Sequence, residues 1–271
     1  MIFYFLQSYH FLSKKIIFAT YKYIKMKRAF FSLIILFLFF SCENSLPTPT
    51  EFNYPESKLW RHGVYSKYEA QELEGLFEGL EVDVIYSPEK NDIYVGRVEA
   101  DTSKNLPLNE WLAMLNEPSK TYYWIDFKNL SYKNADQAFA VLNPLANKYG
   151  IKDVAFVESQ DLEALKIAKD NDYHTILWVD NLHYWKKKTL KDTISVLNKI
   201  RKQIDILHPD AISCEYTMFP LLCDSFPEQN IHFWDTPKDY TPENVEFTKE
   251  LCDRPNVKVV LVDYPTPKIF D

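Results

Sequence analysis

Between Lys58 and Val262, short apolar runs of period two alternate with longer stretches of period three to four, and no other feature limits the fold as strongly. Extended segments are expected over Lys58–Gly63, Gly79–Ser87, Thr121–Phe127, Val154–Glu158, Thr175–Val179, Ala211–Tyr216, Ile231–Trp234 and Val257–Val262. Helical patterns fill the intervals: Lys67–Phe77, Leu108–Asn116, Asn134–Tyr149, Asp161–Asp170, Thr189–Ile206, Pro220–Ser225 and Pro242–Cys252. A shorter extended piece, Asp92–Gly96, follows a turn at Pro88–Asn91. Strands separated by helices pair in parallel, and eight such units close into an α/β (β/α)8 TIM-type barrel. A doubly wound open sheet is the alternative. It would carry a glycine-rich phosphate loop after its first strand, and the whole chain holds five glycines.

In the second extended segment, Gly79–Tyr86, the aliphatic residues Leu80, Val82 and Val84 alternate with Glu81 and Asp83. Period two places both carboxylates on one face, a few ångströms apart. Held that close inside an apolar run, they are costly without a cation between them. A solvated strand face is the plain alternative for such a pair. Active residues of a parallel barrel gather at the C-terminal ends of its strands, and four strands supply polar ends here. These are Arg61 and His62, then Glu81 and Asp83, then Asp126 and Lys128, and finally Glu158. Such an oxygen-rich mouth suits a hard divalent cation, Mg²⁺ or Ca²⁺. The aromatic residues Tyr122, Tyr123, Trp124, Trp178, Tyr184 and Trp185 are expected to pack the barrel and cover its loops.

The N-terminal region reads as an address. Met26-Lys27-Arg28 is followed by an apolar run from Ala29 to Phe40 and by Ser41-Cys42. The run is too short to span a bilayer, which takes about 20 residues. Leu38–Cys42 resembles the lipobox of bacterial lipoproteins, which implies lipidation at Cys42 and a cell-envelope protein anchored to a membrane. Residues 1–41 then form the targeting segment, with Met26 the expected start, and 42–57 a proline-bearing tether before a domain spanning 58–271. The full chain has a formal charge of −7; loss of residues 1–41, which hold six basic side chains and no acid, leaves 25 basic against 38 acidic residues. That balance argues against a nucleic-acid partner, because phosphate backbones are bound by clustered Lys and Arg. Cys214, Cys223 and Cys252 match no zinc spacing and are expected to be small buried hydrophobes.

Arg61-His62-Gly63, Glu81-x-Asp83, Ile125-Asp126-Phe127-Lys128, Trp234-Asp235-Thr236 and Leu261-Val262-Asp263-Tyr264-Pro265 together resemble the glycerophosphodiester phosphodiesterases over residues 59–265. The first half is also similar to the menorin family, through His62–Lys67, Leu80–Val84, Glu110-Trp111-Leu112 and Ile125–Lys128. The first resemblance implies a phospholipase-C-like barrel that cleaves a small-molecule or lipid-head-group phosphodiester with a divalent cation. His62 then matches the first catalytic histidine, Glu81, Asp83 and Asp126 the metal carboxylates, and Lys128, with Arg61, the groups that hold phosphate. The family's second histidine falls on Arg97, in Asp92–Val98. Arginine exchanges no proton near neutral pH, although it binds phosphate and stabilises negative charge. The substitution fits either an altered phosphodiesterase or an inactive barrel that binds an anionic ligand. His183 is a candidate for the missing acid, although a loop histidine is more often a plain surface residue.

Overall fold

The computed structural model describes residues 51–98, 106–179 and 189–268. The targeting segment, Cys42, His183, Tyr184, Trp185 and Lys186–Lys188 fall outside the described residues.

Among the described residues nine strands form one sheet: β1 Leu59–Arg61, β2 Gly79–Ser87, β3 Asp92–Val95, β4 Tyr122–Phe127, β5 Ala155–Ser159, β6 His174–Trp178, β7 Ala211–Glu215, β8 Ile231–Trp234 and β9 Val257–Val262. Their order is β1-β9-β8-β7-β6-β5-β4-β2-β3, and β1 also pairs with β2. Eight parallel strands therefore close into a barrel, as the alternation requires. The extra strand β3 is antiparallel and meets only the upper half of β2, from Val84 to Ser87. The lower half of β2, Gly79–Val84, pairs with β4.

The α-helices described between the strands are α1 Lys67–Leu73, α2 Leu108–Leu112, α3 Ala135–Tyr149, α4 Leu162–Asp170, α5 Leu190–Leu207, α6 Leu221–Ser225 and α7 Pro242–Asp253. Their ends follow from local chemistry. The side chains of Ser66, Asp161 and Thr241 accept backbone N–H groups in the first turns of α1, α4 and α7, and Thr189 with Asp192 closes a capping box on α5. Gly150 ends α3 at φ +66°, a left-handed geometry that glycine adopts without strain. The first helix stops at Leu73 rather than Phe77, because Gly75 turns the chain at φ +75° and sends Phe77 into the core.

The core has two shells. Between barrel and helices lie Leu80, Val82, Val84, Phe139, Leu142 and Leu165, all essentially inaccessible. Inside the barrel Trp60, Trp124, Phe156, Ile176, Val259 and Leu261 form a second buried cluster with Phe52. Gly79 is required by that inner shell, since a Cβ there would stand 2.1 Å from the Trp60 ring. Cys214 and Cys223 are buried, and no disulfide links the three cysteines at 214, 223 and 252.

The compact unit begins at Glu51, ahead of the boundary expected at 58. Phe52 lies 4.0 Å from the Phe156 ring and 4.8 Å from that of His174, and Tyr54 hydrogen-bonds His232 at 3.0 Å. The last part of the expected tether is thus the plug of the barrel's N-terminal end. Two aromatic side chains among prolines carry no period, so a pattern reading passes over them.

Candidate functional site

Inward-facing positions of successive strands converge at the C-terminal mouth. Glu81 and Asp83 on β2 both point inward and are 2% exposed, while their aliphatic neighbours pack outward. Strand register sets Asp83 beside Asp126, and Asp126 beside Glu158. One oxygen from each of Glu81, Asp83 and Asp126 lies within 4.8 Å of the others. Three carboxylates this close, two of them buried, are oxygen donors arranged as a hard cation takes them. Burial, followed by the charges of Asp83 and Asp126, pushes Glu81 well above the usual carboxylate range. Burial also raises Asp126, against the pull of Lys128.

Two cationic side chains bear on this cluster. Lys128 lies just past the end of β4, with Nζ 2.6 Å from Asp83 Oδ1 and ion-paired to Asp126. Burial works against its charge, but Asp126 and Asp83 outweigh it and raise the pKa. Arg97 follows β3 and places Nε 3.0 Å from Asp83 Oδ2, with its side chain 65% exposed. Its position is fixed from the backbone, where Gly96 N–H donates to Asp83 O at 2.9 Å.

His62 extends β1 and brings an imidazole to the rim. Its Nδ1 is 3.1 Å from Asp263 Oδ1, at the end of β9, and its Nε2 is 3.9 Å from Glu81 Oε2. The hydrogen bond from His62 holds Asp263 below the usual carboxylate range, against its partial burial. An ionised Asp263 accepts a hydrogen bond from Nδ1–H of His62, which leaves Nε2 unprotonated toward the cavity. Gly63, at φ +65°, turns its backbone N–H onto Glu81 Oε2 at 2.7 Å.

Among the described residues, the sequence-assigned side chains of the mouth are brought together except one. Glu81, Asp83, Asp126, His62, Lys128 and Arg97 border a cavity of about 210 Å³. Arg61, expected to hold phosphate, does not line it. Strand alternation turns Arg61 away from the interior, and its guanidinium contacts Glu69 Oε1 at 3.3 Å, Asp263 Oδ1 at 3.2 Å and the Val262 carbonyl at 3.2 Å. It braces the β1–β9 seam behind His62.

Glu158 joins the mouth as its strand end suggests, whereas Tyr65, Trp178 and Trp234 are mouth residues without an expected site role. The Tyr65 hydroxyl donates to Asp83 Oδ2. Glu158 is buried and accepts from Trp124 Nε1 at 2.9 Å and from Ser213 Oγ. Trp178 on β6 and Trp234 on β8 line the opposite wall, stacked at 6.4 Å between centroids and 19° between planes. Their place at the ends of β6 and β8 was a usable signal, because strand ends face the mouth.

No protein family model and no curated protein matches the chain. Solved structures do. A phosphodiesterase of Oleispira antarctica in complex with sn-glycerol-3-phosphate is similar with a TM-score of 0.59 and 12% identity, over 80% of this chain and 95% of that one. A glycerophosphodiester phosphodiesterase of Parabacteroides distasonis gives a TM-score of 0.56 at 12% identity, over 79% and 95%. One from Agrobacterium tumefaciens gives 0.53 at 14% identity, over 79% and 99%. The chain thus shares the barrel fold of these structures and spans almost their whole length.

Proposed function

We propose that this chain is a metal-dependent phosphodiesterase that hydrolyses a small phosphodiester of the glycerophosphodiester class. The observation that carries the reading is the convergence of Glu81, Asp83 and Asp126 at a barrel mouth that also holds an imidazole and two cationic side chains. The Oleispira antarctica structure holds sn-glycerol-3-phosphate, and the same class of ligand is proposed for this cavity.

The three carboxylates would hold the cation, Mg²⁺ or Ca²⁺, and a cation there would neutralise charge on the phosphoryl oxygens. Arg97 and Lys128 attract the anionic diester and bear the charge that builds on it. His62 Nε2 takes the proton of the attacking oxygen, and Asp263 keeps the ring in the tautomer and orientation that allow this. Arg97 stands where a second imidazole would protonate the departing alcohol. That proton therefore comes from the charged His62 or from water, and diesters with acidic alcohols are cleaved fastest.

Hydrolysis of bis-p-nitrophenyl phosphate by the full chain, with Mg²⁺, with Ca²⁺ or with chelator, tests the reading against a His62→Ala variant. Metal-dependent turnover that is lost in the variant is expected. Silence with every metal, in wild type and in Arg97→His alike, would instead favour a barrel that binds an anion without turnover. The anchoring of the chain at Cys42 belongs to the same proposal. Cys42→Ser should move the protein from the membrane fraction to the soluble one, and unchanged partition would rule lipidation out.

A further inference from the structure

The chain enters the barrel at its closed end. Phe52 is buried against the rings of Tyr122, Phe156 and His174, while Tyr54 packs on Phe156, hydrogen-bonds His232 and has the Lys258 ammonium 6.0 Å from its ring. Each of these partners is the first or second residue of its strand, so Phe52 and Tyr54 are seated on the N-terminal ends of β4, β5, β6, β8 and β9. The cavity bordered by His62, Arg97 and Lys128 opens at the other end.

This seat limits where the mouth can be relative to a lipid on Cys42. Cys42 precedes Glu51 by nine residues, which span at most about 32 Å when fully extended. A compact unit of the length of Glu51–Asp271 has a radius of gyration of about 17 Å and, as a sphere, a diameter of about 44 Å. With the mouth laid on the anchoring bilayer, the closed end would stand that full diameter away. The tether falls short by about 12 Å even along a straight line through the protein, and the route around it is longer. Counted instead from Lys58, sixteen residues would reach about 58 Å, enough to exceed the diameter. The seating of Phe52 and Tyr54 therefore decides the outcome.

We infer that Phe52 and Tyr54 hold the barrel to its membrane by the closed end, so that the mouth is kept off the anchoring bilayer and takes a phosphodiester dissolved in water, not a phospholipid of that bilayer. The inference rests on lipidation at Cys42, and its substrate clause rests on the phosphodiesterase reading. Both sources offer the same head-group phosphodiester and differ only in whether acyl chains hold it in the membrane.

The test uses the lipidated full chain in dilute phosphatidylcholine vesicles that also carry phosphatidylglycerol and an acceptor-labelled lipid. A donor dye is attached at Ile206→Cys, on the last turn of α5 at the closed end, or at Tyr240→Cys, between β8 and α7 at the mouth. Both side chains are exposed, and Cys252→Ser removes the partly exposed native thiol. Leu76→Cys is a second site at the closed end should the first fail to fold, as read by thermal melting. Energy transfer should be stronger from position 206 than from position 240. The difference should vanish when twenty Gly/Ser residues are inserted between Thr50 and Glu51, which add about 70 Å of reach. Equal transfer from both positions with the native tether, or stronger transfer from position 240, would overturn the inference. Transfer from neither, unchanged by Cys42→Ser, would overturn lipidation and the inference with it. In the same vesicles with Mg²⁺, dissolved glycerophosphoglycerol should be consumed and phosphatidylglycerol spared. Loss of the bilayer lipid would overturn the substrate clause. Consumption of neither would overturn the phosphodiesterase reading and its substrate clause, while the orientation stands on energy transfer alone.

Discussion

At the mouth, Arg97 is the residue on which the chemistry turns. Its guanidinium is held 3.0 Å from Asp83, and that carboxylate raises its pKa further, against the cost of partial burial. It stays charged at every working pH and gives up no proton. The described mouth therefore has one imidazole, His62, for two proton transfers. Arg97→His should raise kcat on a diester with an alkyl leaving group by about 10²-fold, the low end of general acid catalysis, and do little for a p-nitrophenyl diester that needs no acid. The measurement is kcat for the two substrates side by side. A parallel rise on both, or on neither, would assign Arg97 to phosphate binding alone. Asp83 limits the freedom of this exchange, since it also accepts from Tyr65 and pairs with Lys128.

Among the elements, β2 joins fold to site. All nine of its residues are buried, Leu80, Val82 and Val84 face the helices, and its acidic side chains face the mouth. At its start Gly79 makes room for Trp60, and this close approach leads to a stability prediction. Gly79→Ala sets a methyl group against a buried indole, so unfolding free energy should fall by about 3 kcal/mol, the upper end for overpacking, as read by denaturant titration. A loss below about 1 kcal/mol would mean that the Trp60 ring can move aside. Much of this arrangement was legible in the sequence. Period two shows which side chains of β2 share a face, and the order of strands and helices implies closure, because both depend on neighbours along the chain. What pattern could not show depends on partners far apart in sequence. Arg61 was assigned to the site because it adjoins His62, yet adjacent residues of a strand face opposite sides, and its partner Asp263 arrives only when β9 meets β1. Asp263 stood within a noted motif without a role, since nothing local ties it to an imidazole 201 residues away. Phe52 and Tyr54 have no period at all, and only the closed barrel gives them a place.

Across the whole molecule, the two ends of the barrel are held by different chemistry, and each should show in stability. At the mouth, like charges weaken the cation-free protein. Mg²⁺ or Ca²⁺ at 100 times its dissociation constant should add about 2.7 kcal/mol and raise the melting temperature, and Asp83→Asn should abolish the increment. At the closed end lies His232, wholly buried beneath Trp60, Trp124 and Phe156, with Nε2 on the Tyr54 hydroxyl. Burial pushes its pKa down to about 3, against a weak opposing pull from Asp210. The unfolded chain, with histidine near 6.5, takes up this proton first, so the folded state loses stability as pH falls from about 6.5 toward 3, by about 1.4 kcal/mol per pH unit. At pH 5 the loss from this one group is about 2 kcal/mol relative to pH 8. Other groups titrate in the same range, and the difference between wild type and His232→Gln removes those they share. Glutamine keeps an acceptor for Tyr54 and binds no proton, so the wild type's advantage over the variant should shrink by about 2 kcal/mol between pH 8 and pH 5. Urea unfolding at both pH values measures it. A difference independent of pH would mean that His232 is protonated in the folded barrel or reached by water there, and the apolar floor beneath the mouth would then be wet.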